Sequence, residues 1–113
     1  MHEMSIAQSI LDIVDDYMAK EDGHKLTEVA IEVGELVAVV PESLVFCYDA
    51  LVENTAYQGS KLVITVLPLI ADCAQCHHTT KIENFNFYCS ACQSTDIKVN
   101  GGQELRISHL EVD

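Results

Sequence analysis

Cys73-Ala74-Gln75-Cys76, then twelve residues, then Cys89-Ser90-Ala91-Cys92 is the stretch that decides how this chain is built. Two residues between the cysteines of each pair let both thiolates face one centre from a tight turn. Two such turns, brought together by a hairpin, make the tetrahedral sulfur cage that Zn²⁺ favours. Two disulfides are the alternative. No leader segment is legible at the start, however, and a chain without one is expected to keep its thiols reduced. A redox Cys-x-x-Cys usually occurs once, at the start of a helix, so the duplicated turn favours a metal. Four thiolates also close the coordination sphere, whereas a catalytic zinc keeps a position for water. The expected ion is therefore a structural zinc held by Cys73, Cys76, Cys89 and Cys92.

Outward from the cage, residues 71–100 carry few large apolar groups beyond Ile82, Phe85, Phe87 and Tyr88. A lobe of that size buries too little surface to fold alone. Metal binding, about 10–16 kcal/mol in comparable small domains, makes up the difference. The remainder of the 113 residues suffices for one further core, and a hydrophobic content of 49 % marks the chain as globular. Leu62–Ile70 is the longest apolar stretch, strand-length and well short of the roughly 20 residues of a membrane span. Six basic against 18 acidic residues give a net charge of −12. That balance opposes a nucleic-acid partner, which calls for a basic footprint. It suits cations or a basic partner face.

Met4 to Lys20 has helical period, with Met4, Ala7, Ile10, Leu11, Val14, Tyr17 and Met18 on one stripe. Gly23 suits the left-handed exit. Thr27, Val29, Ile31 and Val33 alternate with polar or small residues, a half-buried strand that Gly34-Glu35 breaks. Pro41 opens a second helix, with Leu44, Val45, Tyr48, Leu51 and Val52 as its apolar stripe and Cys47 as a small hydrophobe within it. After Gly59-Ser60, Lys61 to Leu67 is apolar on both faces and reads as a central strand. Pro68 ends it. Gly101-Gly102 reads as a flexible return from the lobe, and Leu105, Ile107, Leu110 and Val112 as a last strand. The expected class is α+β: two helices packed on a small, about three-stranded sheet, with an inserted rubredoxin-like or zinc-ribbon lobe. Residues 1–70 with 101–113 would form one discontinuous domain, and 71–100 the zinc-binding one.

Of the five histidines, His24 and His109 read as ordinary surface residues. His77 and His78 follow Cys76 directly and are open to four readings: partners of the ligands, alternative ligands, part of a second metal site, or a polar turn. His2 differs by its position. An imidazole beside an α-amino group, with backbone amides between, can wrap a square-planar Ni(II) or Cu(II) ion. Met1 is expected to remain, because the initiator is trimmed only before small residues.

Met1-His2-Glu3 at the start, Glu32-Val33-Gly34-Glu35 after the first strand, Phe46-Cys47-Tyr48 in the second helix and the paired Cys-x-x-Cys turns together resemble the HypA/HybF family of hydrogenase maturation nickel metallochaperones. The resemblance runs over essentially the whole chain. It implies Ni(II) carried as cargo at the amino terminus of a small α/β domain, with a structural zinc in a separate lobe. His2 would be the main nickel ligand, joined by the Met1 amine and backbone nitrogens near Glu3, with Glu3 assisting. It further implies a cytoplasmic, non-enzymatic protein that passes nickel to the large subunit of [NiFe]-hydrogenase together with a nickel-handling GTPase. Some members also serve urease. The chain departs from the usual zinc knuckle in one respect: His77 and Gln93 stand where a glycine often follows the second cysteine.

Two other functions compete. A zinc-ribbon adaptor for nucleic acid shares the cysteine pattern, but the lobe sets only Lys81 and Lys98 against Asp72, Glu83 and Asp96. A zinc hydrolase would need an open coordination position and a general base, with His77 or His78 displacing a cysteine.

Overall fold

The computed structural model describes residues 3–21 and 23–113. In chain order the elements are α1 (Glu3–Met18), β1 (Leu26–Gly34), a 3-10 turn (Glu35–Val37), α2 (Pro41–Val52), β2 (Lys61–Leu67), β3 (Ile70–Cys73), β4 (Thr79–Lys81), β5 (Ile97–Gly101) and β6 (Leu105–Val112). The strands form two three-stranded sheets, ordered β2-β1-β6 and β4-β3-β5. The class is α+β, as the sequence implies. The chain divides into two compact units, one of residues 1–32, 39–65 and 106–113, the other of residues 33–38 and 66–105.

In the first unit, α1 buries Ile6, Ala7, Ile10, Leu11 and Val14. Met4 and Tyr17, expected on the stripe, are exposed, and Ile6 takes their place. The middle of the stripe, Ala7, Ile10, Leu11 and Val14, is buried as periodicity suggests, and the differences fall at the helix ends. Pro41 is the first residue of α2, whose Leu44, Tyr48 and Val52 are buried. The Tyr48 hydroxyl and Ser60 Oγ lie 2.6 Å apart, joining the middle of α2 to the residue just before β2.

The order of the first sheet corrects one expectation. β2, apolar on both faces, is an edge strand and not a central one; only its Leu62 is buried, while Val63 and Val66 are exposed. The central position goes to β1, which buries Leu26, Val29, Ala30, Ile31 and Val33. Burial is the physical reason: Leu26, Val29, Ala30, Ile31 and Val33 of β1 are all buried, whereas β2 buries only Leu62. β6 pairs with β1 in the antiparallel sense: Gly34 N–H donates to Glu104 O at 2.8 Å, and Asp113 N–H to Lys25 O at 3.0 Å.

In the second unit, β3 is the middle strand, antiparallel to both β4 and β5. Its core is small: Leu69, Ala71 and Ile82, with Ile97 and Val99 packed against them. This sheet is not legible in the sequence, because β3 and β4 have four and three residues, too few for a periodicity to register. Gly102 also corrects the reading of a flexible return. It is buried at φ +106°, and a Cβ there would lie 2.6 Å from Leu69 Cα. A Cβ on Gly34 would meet the Gly102 carbonyl carbon at 2.0 Å. Two glycines are needed here because two backbones touch.

Candidate metal centre

Each cysteine pair is built the same way. Cys73 ends β3, and its N–H donates to His78 O at 3.0 Å; Cys89 N–H donates to Ser94 O at 2.8 Å. His77 N–H returns to Cys73 O at 3.0 Å, and Gln93 N–H to Cys89 O at 2.8 Å. The first sulfur of each turn accepts an amide two residues on: Gln75 N–H to Cys73 Sγ at 3.3 Å, Ala91 N–H to Cys89 Sγ at 3.4 Å. In both turns the first cysteine is buried and the second exposed. The glycine missing after each pair does not change this geometry. His77 and Gln93 both stand at φ 63°, a left-handed conformation that costs a non-glycine residue about 1–2 kcal/mol.

The four sulfurs lie within 4.8 Å of one another. Cys73 Sγ and Cys92 Sγ are 3.6 Å apart, and Cys76 Sγ and Cys89 Sγ 3.5 Å. All are free thiols, and the separations are far beyond a disulfide's roughly 2.05 Å. They approach the roughly 3.8 Å edge of a tetrahedron with metal–sulfur bonds of about 2.3 Å. The donor set therefore fits a soft or borderline divalent ion.

Electrostatics make the same point. The Cys92 amide bonded to Cys89 Sγ holds that thiol down at about 6, and the Cys76 amide draws Cys73 below the usual range. Cys76 has the His78 amide pulling its sulfur down, but its thiol neighbours, led by Cys89, and burial push it up to about 12. Cys92 rises too: the Ser94 amide lowers it, and burial with the neighbouring Cys73 outweighs that. Four thiolates this close do not all ionise unaided, and a cation at their centre removes the conflict.

A residue that sequence reasoning missed ties the second turn to the sheet. Thr80, buried on β4, accepts the Ser90 N–H at 3.1 Å, and its hydroxyl lies 3.2 Å from Ser90 Oγ. The Thr79-Thr80 pair between His78 and Ile82 gives no signal for this.

The family model described as hydrogenase/urease nickel incorporation, metallochaperone, hypA matches residues 1–112. The chain belongs to the HypA family. It is 38 % identical over 113 residues to the hydrogenase maturation factor HypA of Albidiferax ferrireducens and 37 % to HypA 2 of Bradyrhizobium diazoefficiens, with both chains fully covered in each case. The solution structure of the Ni metallochaperone HypA from Helicobacter pylori matches at a TM-score of 0.67 and 25 % identity, covering 98 % of this chain and 97 % of that one. A second HypA solution structure matches at a TM-score of 0.71 and 25 % identity, covering 98 % and 95 %. Family, fold and a four-cysteine metal-binding cluster agree.

Of the expected nickel ligands, Met1 and His2 lie outside the described residues. Glu3 stands in the first turn of α1, its Oε2 at 3.4 Å from the Val40 N–H that donates to it. His77 and His78 are exposed, and the convergent donors of the cage are four sulfurs without either imidazole. The remaining HypA-like signature residues have structural duties. Glu32 Oε1 accepts from Arg106 Nε at 2.7 Å, Glu35 Oε1 accepts the Leu69 N–H at 2.9 Å, Gly34 admits Gly102, and Tyr48 meets Ser60. Cys47 is half-buried within α2. Among the described residues no helix is long and apolar enough to cross a membrane.

Proposed function

We propose that this chain is a nickel carrier for hydrogenase maturation, with cargo and structural metal on separate sites. Ni(II) binds at Met1-His2-Glu3 through the Met1 amine, the His2 imidazole and backbone nitrogens, with Glu3 assisting. Zn(II) sits among Cys73, Cys76, Cys89 and Cys92. In domain terms, residues 1–70 with 101–113 carry nickel and 71–100 carry zinc. The protein acts in the cytoplasm and performs no catalysis. It passes nickel to the large subunit of [NiFe]-hydrogenase in concert with a nickel-handling GTPase of that pathway.

The observation that carries this reading is the HypA family match, which includes Met1-His2-Glu3. The chemistry agrees with it. A terminal site of amine, imidazole and backbone nitrogens satisfies the square-planar preference of Ni(II). Such a site releases its ion more readily than a closed cage does, as delivery requires. Four thiolates leave no coordination position for substrate, which is why the cage serves shape.

Ni(II) titration into untagged protein, with total zinc counted in parallel, tests the reading. His2→Ala, or residues added ahead of Met1, abolishes amino-terminal nickel binding and leaves one zinc per chain. Nickel also dissociates as pH falls, because protons compete for the amine, the imidazole and the backbone nitrogens. A tagged, uncleaved protein holding nickel with unchanged affinity and stoichiometry overturns the terminal site.

A further inference from the structure

The structure holds a second convergence of metal-binding side chains, distinct from the cage and from the amino terminus. Glu28 lies on β1, and His109 and Glu111 on the neighbouring β6. One ligand atom from each falls within 4.8 Å of the others. His109 Nε2 is 3.5 Å from Glu28 Oε2 and 3.7 Å from Glu111 Oε1. We propose that Glu28, His109 and Glu111 form an open binding site for a first-row divalent transition ion, with water completing its coordination.

Three observations carry this. The spacing is the first. Both nitrogen-to-oxygen separations exceed the roughly 2.7–3.2 Å of a hydrogen bond, and the two are nearly equal. Ligand atoms at about 2.1 Å from a shared tetrahedral ion stand about 3.4 Å apart, which the observed spacing approaches. The second is the frame. His109 and Glu111 are two apart on β6, and Glu28 lies on β1, the strand with which β6 pairs. Thr27 Oγ1 donates to Glu111 O at 3.0 Å and Asp113 N–H to Lys25 O at 3.0 Å towards the chain end, and Ser108 Oγ donates to Ala30 O at 3.1 Å on the other side, so the two strands are tied on both sides of the cluster. The third is access. The side chains are 28 %, 54 % and 58 % exposed for Glu28, His109 and Glu111, leaving room for water ligands and for exchange. One imidazole with two carboxylates suits Zn(II), Ni(II), Mn(II) or Fe(II); an imidazole is a poor choice for Mg(II) or Ca(II).

The site is independent of the amino-terminal reading, and a His2→Ala background separates the two. Full-length His2→Ala protein with its cysteine cage filled is titrated with Ni(II) by calorimetry. One further equivalent binds; adding His109→Ala removes it, and adding Glu111→Gln weakens it at least tenfold. Circular dichroism checks that each variant folds. In parallel, Ni(II) with oxygen, imidazole and water donors is paramagnetic and broadens the NMR signals around residues 28 and 109–111. Equal nickel stoichiometry with and without His109→Ala, or broadening absent from those residues, overturns the proposal. His2→Ala leaving the nickel count of the native protein unchanged would instead count against the terminal site alone.

Discussion

Tyr57 and Tyr48 show how a single side chain writes itself into the pH dependence of the fold. Tyr57 has its hydroxyl raised to about 12, first by burial and then by the hydrogen bond it donates to the Asp15 carboxylate. Burial raises Tyr48 as well, partly offset by the bond to Ser60. A folded value above the unfolded one, near 10, means that the neutral phenol is favoured in the native state. The stabilisation is complete below pH 10 and is lost as pH climbs from there towards about 12. Urea denaturation at pH 9, 10 and 11 is expected to show falling stability, and Tyr57→Phe to flatten part of that fall. An identical slope in the variant would count against the Asp15 contact. His77 and Gln93 work at the same scale. Each accepts a left-handed backbone so that its knuckle can close, a local cost that the cage tolerates because the turn's own hydrogen bonds fix it.

At the scale of elements, the close approach of the β1 end to the segment leaving β5 is the tightest feature. Gly34 is extended, at φ −73° and ψ 149°, so alanine would suit its backbone; the obstacle is the Gly102 carbonyl 2.0 Å from where a Cβ would sit. Gly59 is the reverse case, at φ +91° with nothing within 4 Å of a Cβ. Gly59→Ala is expected to cost about 1 kcal/mol, from backbone strain alone. Gly34→Ala is expected to cost about 3 kcal/mol or more, because backbone must move. Chemical denaturation of the two variants side by side measures the difference; equal losses would mean that the strands separate freely. Strand order belongs to this scale too. β2 carries more apolar side chains than an edge requires, and β1, whose apolar side chains are the ones buried, takes the centre between β2 and β6.

For the molecule as a whole, the two units differ in what holds them. The first buries the apolar faces of α1, α2 and β1. The second has a core of three buried side chains and four sulfurs arranged for a metal. A chelator strong enough to empty the cage is therefore expected to collapse residues 66–105, while α1 and α2 keep their structure. NMR dispersion followed residue by residue checks this, with Cys76→Ser giving the same pattern without chelator. Loss of signals from α1 and α2 at the same chelator concentration would show one cooperative unit.

Much of this was already in the amino-acid string. The cage was legible because Cys-x-x-Cys turns are local, and a metal needs only that two such turns meet. Pro41 and the spacing of Leu44, Tyr48 and Val52 placed α2 for the same reason: helical period is a short-range property. Only the tertiary structure decided which strand lies at the centre, since that depends on what covers each face. Only it set Gly34 against Gly102, and Glu28 beside His109 and Glu111. Those residues are distant along the chain, and it is strand pairing, settled by burial across the whole sheet, that brings them within reach of one another.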